Sequence, residues 1–369
     1  MRFREFIDSW TLIPIKKLLR FQNGINADST KYGKGIKYIS VSDILNNQYI
    51  TYDCIKGLID IDEKTLNRFI VEYGDILFQR SSETFEDIGR ANVYLDKEHS
   101  ATFGGFVIRG KKISDYNPLF FRYLLCTHNA RKQTVRMGAG AQHYNIGQEG
   151  LEKICLYFPC LQEQQKISDL LFAIDNKIAV QNKIISDLKV LKKELCRKML
   201  SSITEYKTLG ELCSITTGKL DANANNHNGL YPFFTCGKDT LSIDNYAFDG
   251  EAILIAGNGD IGHTKYYCGK FNAYQRTYVL MNFKADAQFV KMGIDTYLPQ
   301  KISEETQGGA MPYIKLSTLT LLKIPFTTEE KQLSIRKHYD AIAQKVENET
   351  EILDRLLQQK SYFLNAMFI

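Results

Sequence analysis

The chain is poor in the residues and patterns that would assign it quickly. Its 369 residues include one tryptophan and seven prolines. No apolar run reaches about eighteen residues, so no segment is predicted to cross a membrane as a helix. The opening Met1-Arg2-Phe3-Arg4-Glu5 leads into no apolar core of signal-peptide length, and the protein is expected to be cytoplasmic. None of the eight cysteines, Cys54, Cys126, Cys155, Cys160, Cys196, Cys213, Cys236 and Cys268, forms a Cys-x-x-Cys pair or a zinc spacing with histidine. They are expected to be reduced and mostly buried. Charge of one sign is also lacking. A net +5 permits a polyanionic partner without demanding one.

What is present is globular: 44% hydrophobic and 12% aromatic residues, enough for two or three cores. The clearest pattern is a heptad seam in steps of four and three. It runs Ile167, Leu171, Ile174, Ile178, Gln181, Ile185, Leu188, Lys192, Leu195 and Met199. The same count from Ile335 gives Tyr339, Ile342, Val346, Glu349, Leu353, Leu356, Lys360, Phe363 and Met367. Polar interruptions fall at the same steps in both series. Duplication explains that better than chance, and each series offers the other a stripe to bury, as in an antiparallel coiled coil. Gln181 with Glu349, and Lys192 with Lys360, either fix register at some cost in stability or mark where the seam opens to a further helix.

The segments outside the helices are duplicated too. Arg20-Phe21-Gln22-Asn23-Gly24 is echoed by Ser214-Ile215-Thr216-Thr217-Gly218, and Gly74-Asp75-Ile76-Leu77-Phe78 by Gly250-Glu251-Ala252-Ile253-Leu254-Ile255. Polar loops follow, ending in Ile88-Gly89-Arg90 and Ile261-Gly262-His263. Gly138-Ala139-Gly140-Ala141-Gln142-His143-Tyr144 answers Gly308-Gly309-Ala310-Met311-Pro312-Tyr313. Strands are predicted at 37–41, 75–78 and 106–109, with a helix over 118–128 that carries Leu119, Tyr123 and Cys126 on one face. The predicted class is α+β, as an internal repeat of two mixed α/β globules, 1–157 and 204–325, each followed by a long helix, 158–203 and 326–369. A helix of about 36 residues is on the order of 54 Å long, which would make the pair a rigid rod holding two similar globules apart as a two-point caliper.

No catalytic constellation is legible. Gly257-Asn258-Gly259-Asp260-Ile261-Gly262 matches Gly-x-Gly-x-x-Gly, but a strand follows where a dinucleotide site needs a helix, so a hairpin loop is expected. Asn117-Pro118-Leu119-Phe120 lacks the second proline of the amino-methyltransferase motif and reads as a helix start. Asp260 with Lys265, or Asp62-Glu63-Lys64, lacks the further acidic residue that nuclease chemistry needs. The six histidines have no ligand spacing, and no metal site is expected.

The chain resembles the specificity subunit of type I restriction-modification systems. The resemblance is carried by Trp10, by Gly35-Ile36-Lys37-Tyr38-Ile39-Ser40-Val41-Ser42-Asp43-Ile44, by Gly74-Asp75-Ile76-Leu77, and by Pro159-Cys160-Leu161-Gln162-Glu163-Gln164-Gln165-Lys166-Ile167. A degenerate copy of the last, Thr327-Thr328-Glu329-Glu330-Lys331-Gln332, precedes the second helix. The resemblance implies a non-catalytic subunit whose two target recognition domains each read one half of a bipartite double-stranded DNA site. The helices would set the gap and dock two methyltransferase subunits, with restriction subunits joining through the complex. S-adenosylmethionine and ATP would belong to those partners, leaving no cofactor in this chain. The alternatives are a coiled-coil scaffold for proteins and the specificity subunit of a related fused restriction-modification enzyme.

Candidate DNA readers are the polar loop residues able to meet base edges or phosphates. In the first globule they are Arg80, Ser81, Ser82 and Arg90, with Arg136, Gln142, His143 and Asn145 in the glycine-rich turn. In the second they are Asn258, Asp260, His263 and Lys265, with Arg276 and Lys315 as phosphate contacts. Gly24, Gly218, Gly89 and Gly262 are expected to serve the backbone.

Overall fold

A computed structural model describes residues 2–140, 143–305 and 313–368. The chain divides into two compact units, Met1–Gln181 with Ile352–Ile369, and Asn182–Glu351. Two helices run through both, Leu161–Ser201 and Glu329–Met367, of 41 and 39 residues. Their exposure follows the four-and-three count. In each helix every described seam residue is buried or half-buried, whereas most of the residues between them are exposed. The interruptions Gln181 and Glu349 are buried as well, at 7% and 8% exposure.

In the first unit, Thr11–Pro14 pairs antiparallel with Cys155–Phe158. A four-stranded antiparallel sheet then runs in the order Leu19–Asn23, Val107–Lys112, Ile76–Gln79, Ala91–Val93. A three-stranded sheet orders Gly57–Ile59, Tyr32–Ile39 and Thr102–Phe103, and Ser81–Ser82 pairs with Tyr144–Asn145. The main core joins the four-stranded sheet to both long helices. Trp10, Phe120, Phe121 and Phe158 pack with Ile167 and Leu171 from the start of the first helix and Met367 from the end of the second. The helices are therefore antiparallel here.

In the second unit, Tyr206–Thr208 pairs with Lys323–Pro325. A six-stranded sheet begins Ser214–Thr217, Thr277–Met281, Phe248–Ala256, Thr264–Ala273, which repeats the strand order of the first unit's four-stranded sheet. It continues with Tyr231–Phe234 and Thr240–Ile243. The antiparallel pairing recurs too, since Cys196 and Leu200 near the end of the first helix pack with Ile335 near the start of the second.

The element that begins each long helix explains its glutamine. Gln164 is buried; its amide donates to Pro159 O at 2.9 Å, and its carbonyl accepts the backbone N–H of Asn117 at 2.9 Å. Gln332 donates to Thr327 O at 2.6 Å and accepts from Asp286 N at 2.9 Å. Asn117 and Asp286 in turn start helices, accepting the N–H of Phe120 and Phe289, each at 2.8 Å. One side chain so ties the start of the long helix to the start of the globule's own helix. Asn117-Pro118 is thus a helix cap.

Several sequence expectations need correction. The strand expected at 37–41 is Tyr32–Ile39, and Val41 opens a helix because Ser40 and Asp43 form a capping box. The helix expected over 118–128 ends at Cys126, and a second, His128–Arg136, follows after Thr127 caps it. The first of these helices buries Phe120, Phe121, Tyr123, Leu124 and Leu125, whereas Cys126 is exposed. The second globule holds a helix that was not anticipated, Ala287–Glu305, which carries Pro299. Three cysteines are buried and two half-buried, but Cys126, Cys160 and Cys268 are exposed.

Candidate nucleic-acid interface

In each unit three separate segments converge on one tight turn. In the first unit the turn is 104–107, closed by Val107 N–H on Gly104 O at 2.9 Å. Gly104 N–H bonds Ile39 O, and Gly24 N–H bonds Val107 O, so two neighbouring strands anchor its base. Arg80 N–H bonds Phe106 O, and Arg80 O accepts from Ile146. In the second unit the turn is 274–277, closed by Thr277 N–H on Tyr274 O at 2.8 Å. Tyr274 N–H bonds Phe234 O, Gly218 N–H bonds Thr277 O, Gly257 N–H bonds Arg276 O, and Gly257 O accepts from Ile314. The two networks match bond for bond. Phe106 and Arg276 thereby occupy the same place, as do Arg80 and Gly257.

The polar loops are equally matched. Gln79 N–H meets Arg90 O as Ala256 N–H meets His263 O, and Arg90 N–H meets Asp87 O as His263 N–H meets Asp260 O. Gly89 and Gly262 hold φ of 63° and 75°, where a side chain would be strained. At Gly24 and Gly218 the reason is crowding: an added Cβ would lie 2.1 Å from Gly104 O and 1.9 Å from Ala273 O. All four glycines serve the backbone.

The candidate side chains divide accordingly. Arg80 is half-buried and donates from Nη1 to Gly105 O at 3.3 Å, so it braces the turn. Ser81 Oγ donates to Asn145 Oδ1 at 2.5 Å across the short strand pair, placing both at one surface. Ser82 is turned inward, and its hydroxyl accepts from Thr84 N, which removes it from the surface set. Arg90 is exposed and lies 2.6 Å from Asp87. Arg136 is the last residue of a helix, not part of the turn, and is exposed. His143 is exposed, and Gln142 falls outside the described residues, as do Gly308 to Pro312. The loop itself is held by Arg131, which donates to Glu86 O and Ile88 O at 2.8 and 2.7 Å.

In the second unit Asn258 and Asp260 line a shallow cleft of about 400 Å³ with Thr235, Cys236 and Tyr274. Arg276 is exposed on the adjoining turn, and Lys315 is exposed one residue beyond Ile314. His263 is exposed at the end of the hairpin between Phe248–Ala256 and Thr264–Ala273, so the glycine-rich motif is a hairpin loop. Lys265 does not join this group. It is half-buried, bonds Asp239 O and Thr240 Oγ1 at 3.1 and 3.2 Å, and its ammonium pKa is lowered by burial.

Phe106 was not expected at the surface, yet it is 69% exposed at the tip of its turn. It borders an open cleft of about 500 Å³ that includes Tyr32, Tyr38, Ser40 and Ser42. The only sequence signal was the Gly104-Gly105 pair before it. Among the described residues no three His, Cys, Asp or Glu side chains gather as metal ligands, and no helix is long and apolar enough to cross a membrane.

Similarity to known proteins places the chain. Residues 9–190 and 203–358 each match the type I restriction modification DNA specificity domain. The chain belongs to that family. A 165-residue segment is 38% identical to the EcoDI type I restriction enzyme specificity subunit of Escherichia coli, covering 44% of this chain and 37% of that subunit. The MjaVIII specificity subunit of Methanocaldococcus jannaschii is 24% identical over 394 residues, covering 92% of this chain and 90% of that one. Among solved structures, the S subunit of a type I system from M. genitalium has the same fold, with a TM-score of 0.62, 18% identity, and coverage of 100% of this chain and 98% of that one. The chain carries two type I restriction modification DNA specificity domains in tandem.

Proposed function

We propose that this specificity subunit reads a bipartite DNA sequence, one half with each globule, and itself performs no catalysis. The observation that carries the reading is the pair of matched turn networks. The same main-chain scaffold presents Phe106 and Arg90 in one unit and Arg276 and His263 in the other. A common scaffold with unlike side chains suits two domains that do the same task on different sequences. The antiparallel helices would fix the spacing of the half-sites and dock two methyltransferase subunits, through which restriction subunits are engaged. S-adenosylmethionine and ATP would be bound by those partners, in the cytoplasm. The globules are taken as 1–157 and 204–325, with 158–203 and 326–369 as the spacer.

The test is to co-express the chain with its methyltransferase subunits and map modified adenines across a genome. A split motif with two unlike halves at a fixed gap is expected, and replacing 204–325 by the globule of another specificity subunit should change one half only. If no motif depends on the chain, it acts instead as a protein scaffold.

A further inference from the structure

The matched networks make one comparison chemically sharp. Phe106 and Arg276 stand at the third position of equivalent turns, and each carbonyl accepts one N–H from the preceding polar loop, that of Arg80 or of Gly257. Neither side chain is used by its own fold: Phe106 is 69% exposed, and Arg276 is exposed with no ion pair among the described residues. Yet their chemistry is opposite. The surroundings differ in the same sense. Phe106 borders aromatic Tyr32 and Tyr38, whereas Arg276 adjoins the polar cleft of Asn258 and Asp260.

We infer that this shared position determines sequence specificity in both domains, with Phe106 selecting a thymine and Arg276 selecting a guanine. The inference rests on the DNA-reading function proposed above. A phenyl ring gains from the 5-methyl group of thymine and offers nothing to a G·C pair at the same place. A guanidinium can donate two parallel hydrogen bonds to guanine O6 and N7, the pairing no other base completes. A turn tip braced by main-chain bonds on both sides is stiff enough to hold either group in one register. Arg276 as a phosphate contact would give a different signature, because phosphates carry no sequence information.

The experiment uses the full chain with its methyltransferase subunits and reads the modified motif for the unaltered protein, Phe106→Arg, Phe106→Ala, Arg276→Phe and Arg276→Ala. Melting temperature is followed to confirm folding, and affinity for the unaltered motif is followed against salt. Phe106→Arg is expected to replace a thymine by a guanine at one position of the first half. Arg276→Ala should relax one guanine of the second half by about 5-fold or more. In each case the other half stays unchanged. Uniform weakening across all sequences with an intact motif would overturn the inference alone, and at Arg276 a smaller salt dependence with it would make that residue a phosphate contact. A chain that directs no motif would overturn the inference together with the function on which it rests.

Discussion

Lys360 Nζ lies 2.6 Å from Asp175 Oδ1, and the other oxygen of that carboxylate accepts the Tyr123 hydroxyl at 2.7 Å. Three elements of the first unit meet in this contact: the globule's helix Pro118–Cys126 and the two long helices. The lysine that interrupts the apolar seam is therefore matched by a carboxylate that is 4% exposed. Burial and the hydrogen bond to Asp175 both raise the Tyr123 pKa, so the phenol remains a donor throughout the working range.

Removing one member of such a pair leaves an unpaired charge in a nearly dry site. Lys360→Met is expected to cost about 3 kcal/mol. The double variant Lys360→Met with Asp175→Asn should recover part of that loss, because the stranded charge is gone. Denaturant unfolding of both proteins checks the order; equal stabilities would show that the carboxylate is not held charged by the lysine.

The twin glutamines make a second prediction. Gln332→Ala deletes a donor to Thr327 O and an acceptor for Asp286 N–H, both at a residue that is 2% exposed. The expected cost is about 1–3 kcal/mol. Amide exchange should show lost protection at Asp286, and Gln164→Ala should do the same at Asn117. Unchanged protection at either amide would reassign the tie.

Thiol chemistry separates the cysteines by environment. Burial pushes the Cys213 thiol from its ordinary 9.0 up to about 12. Alkylation at pH 8 should modify Cys126, Cys160 and Cys268 first and leave Cys213 unmodified until the protein unfolds. The raised folded-state pKa also has a sign. Its stabilising contribution is complete below about pH 9 and is lost as pH rises toward about 12. Mass mapping of modified peptides across that range reads both effects.

The long helices and the repeat were legible in the sequence because a heptad count is a local, periodic signal, and two copies with matching interruptions reinforce each other. The helix Ala287–Glu305 was hidden because Gly293 and Pro299 punctuate it. Gly293 is there for packing, since an added Cβ would meet Ile324 Cβ at 3.1 Å. Of the candidate readers, Arg90, Asn145, Asp260 and Arg276 were legible as polar loop residues at the surface. Ser82 and Lys265 were misplaced because burial is set by cross-strand partners distant in sequence. Phe106 escaped because an aromatic residue beside a strand reads as core, and only the turn closed by Gly104 and Val107 turns it outward.

The bonds that close the two turns and tie them to the neighbouring strands run from main chain to main chain, and the side chains of Phe106 and Arg276 take no part in them. Substitution at positions 106 and 276 is thus decoupled from folding. A single codon change there alters what the surface displays while leaving its position intact, so a lineage can explore new recognition preferences without passing through misfolded intermediates. The two halves of this chain, alike in scaffold and unlike at the tip, have the form such a history would leave.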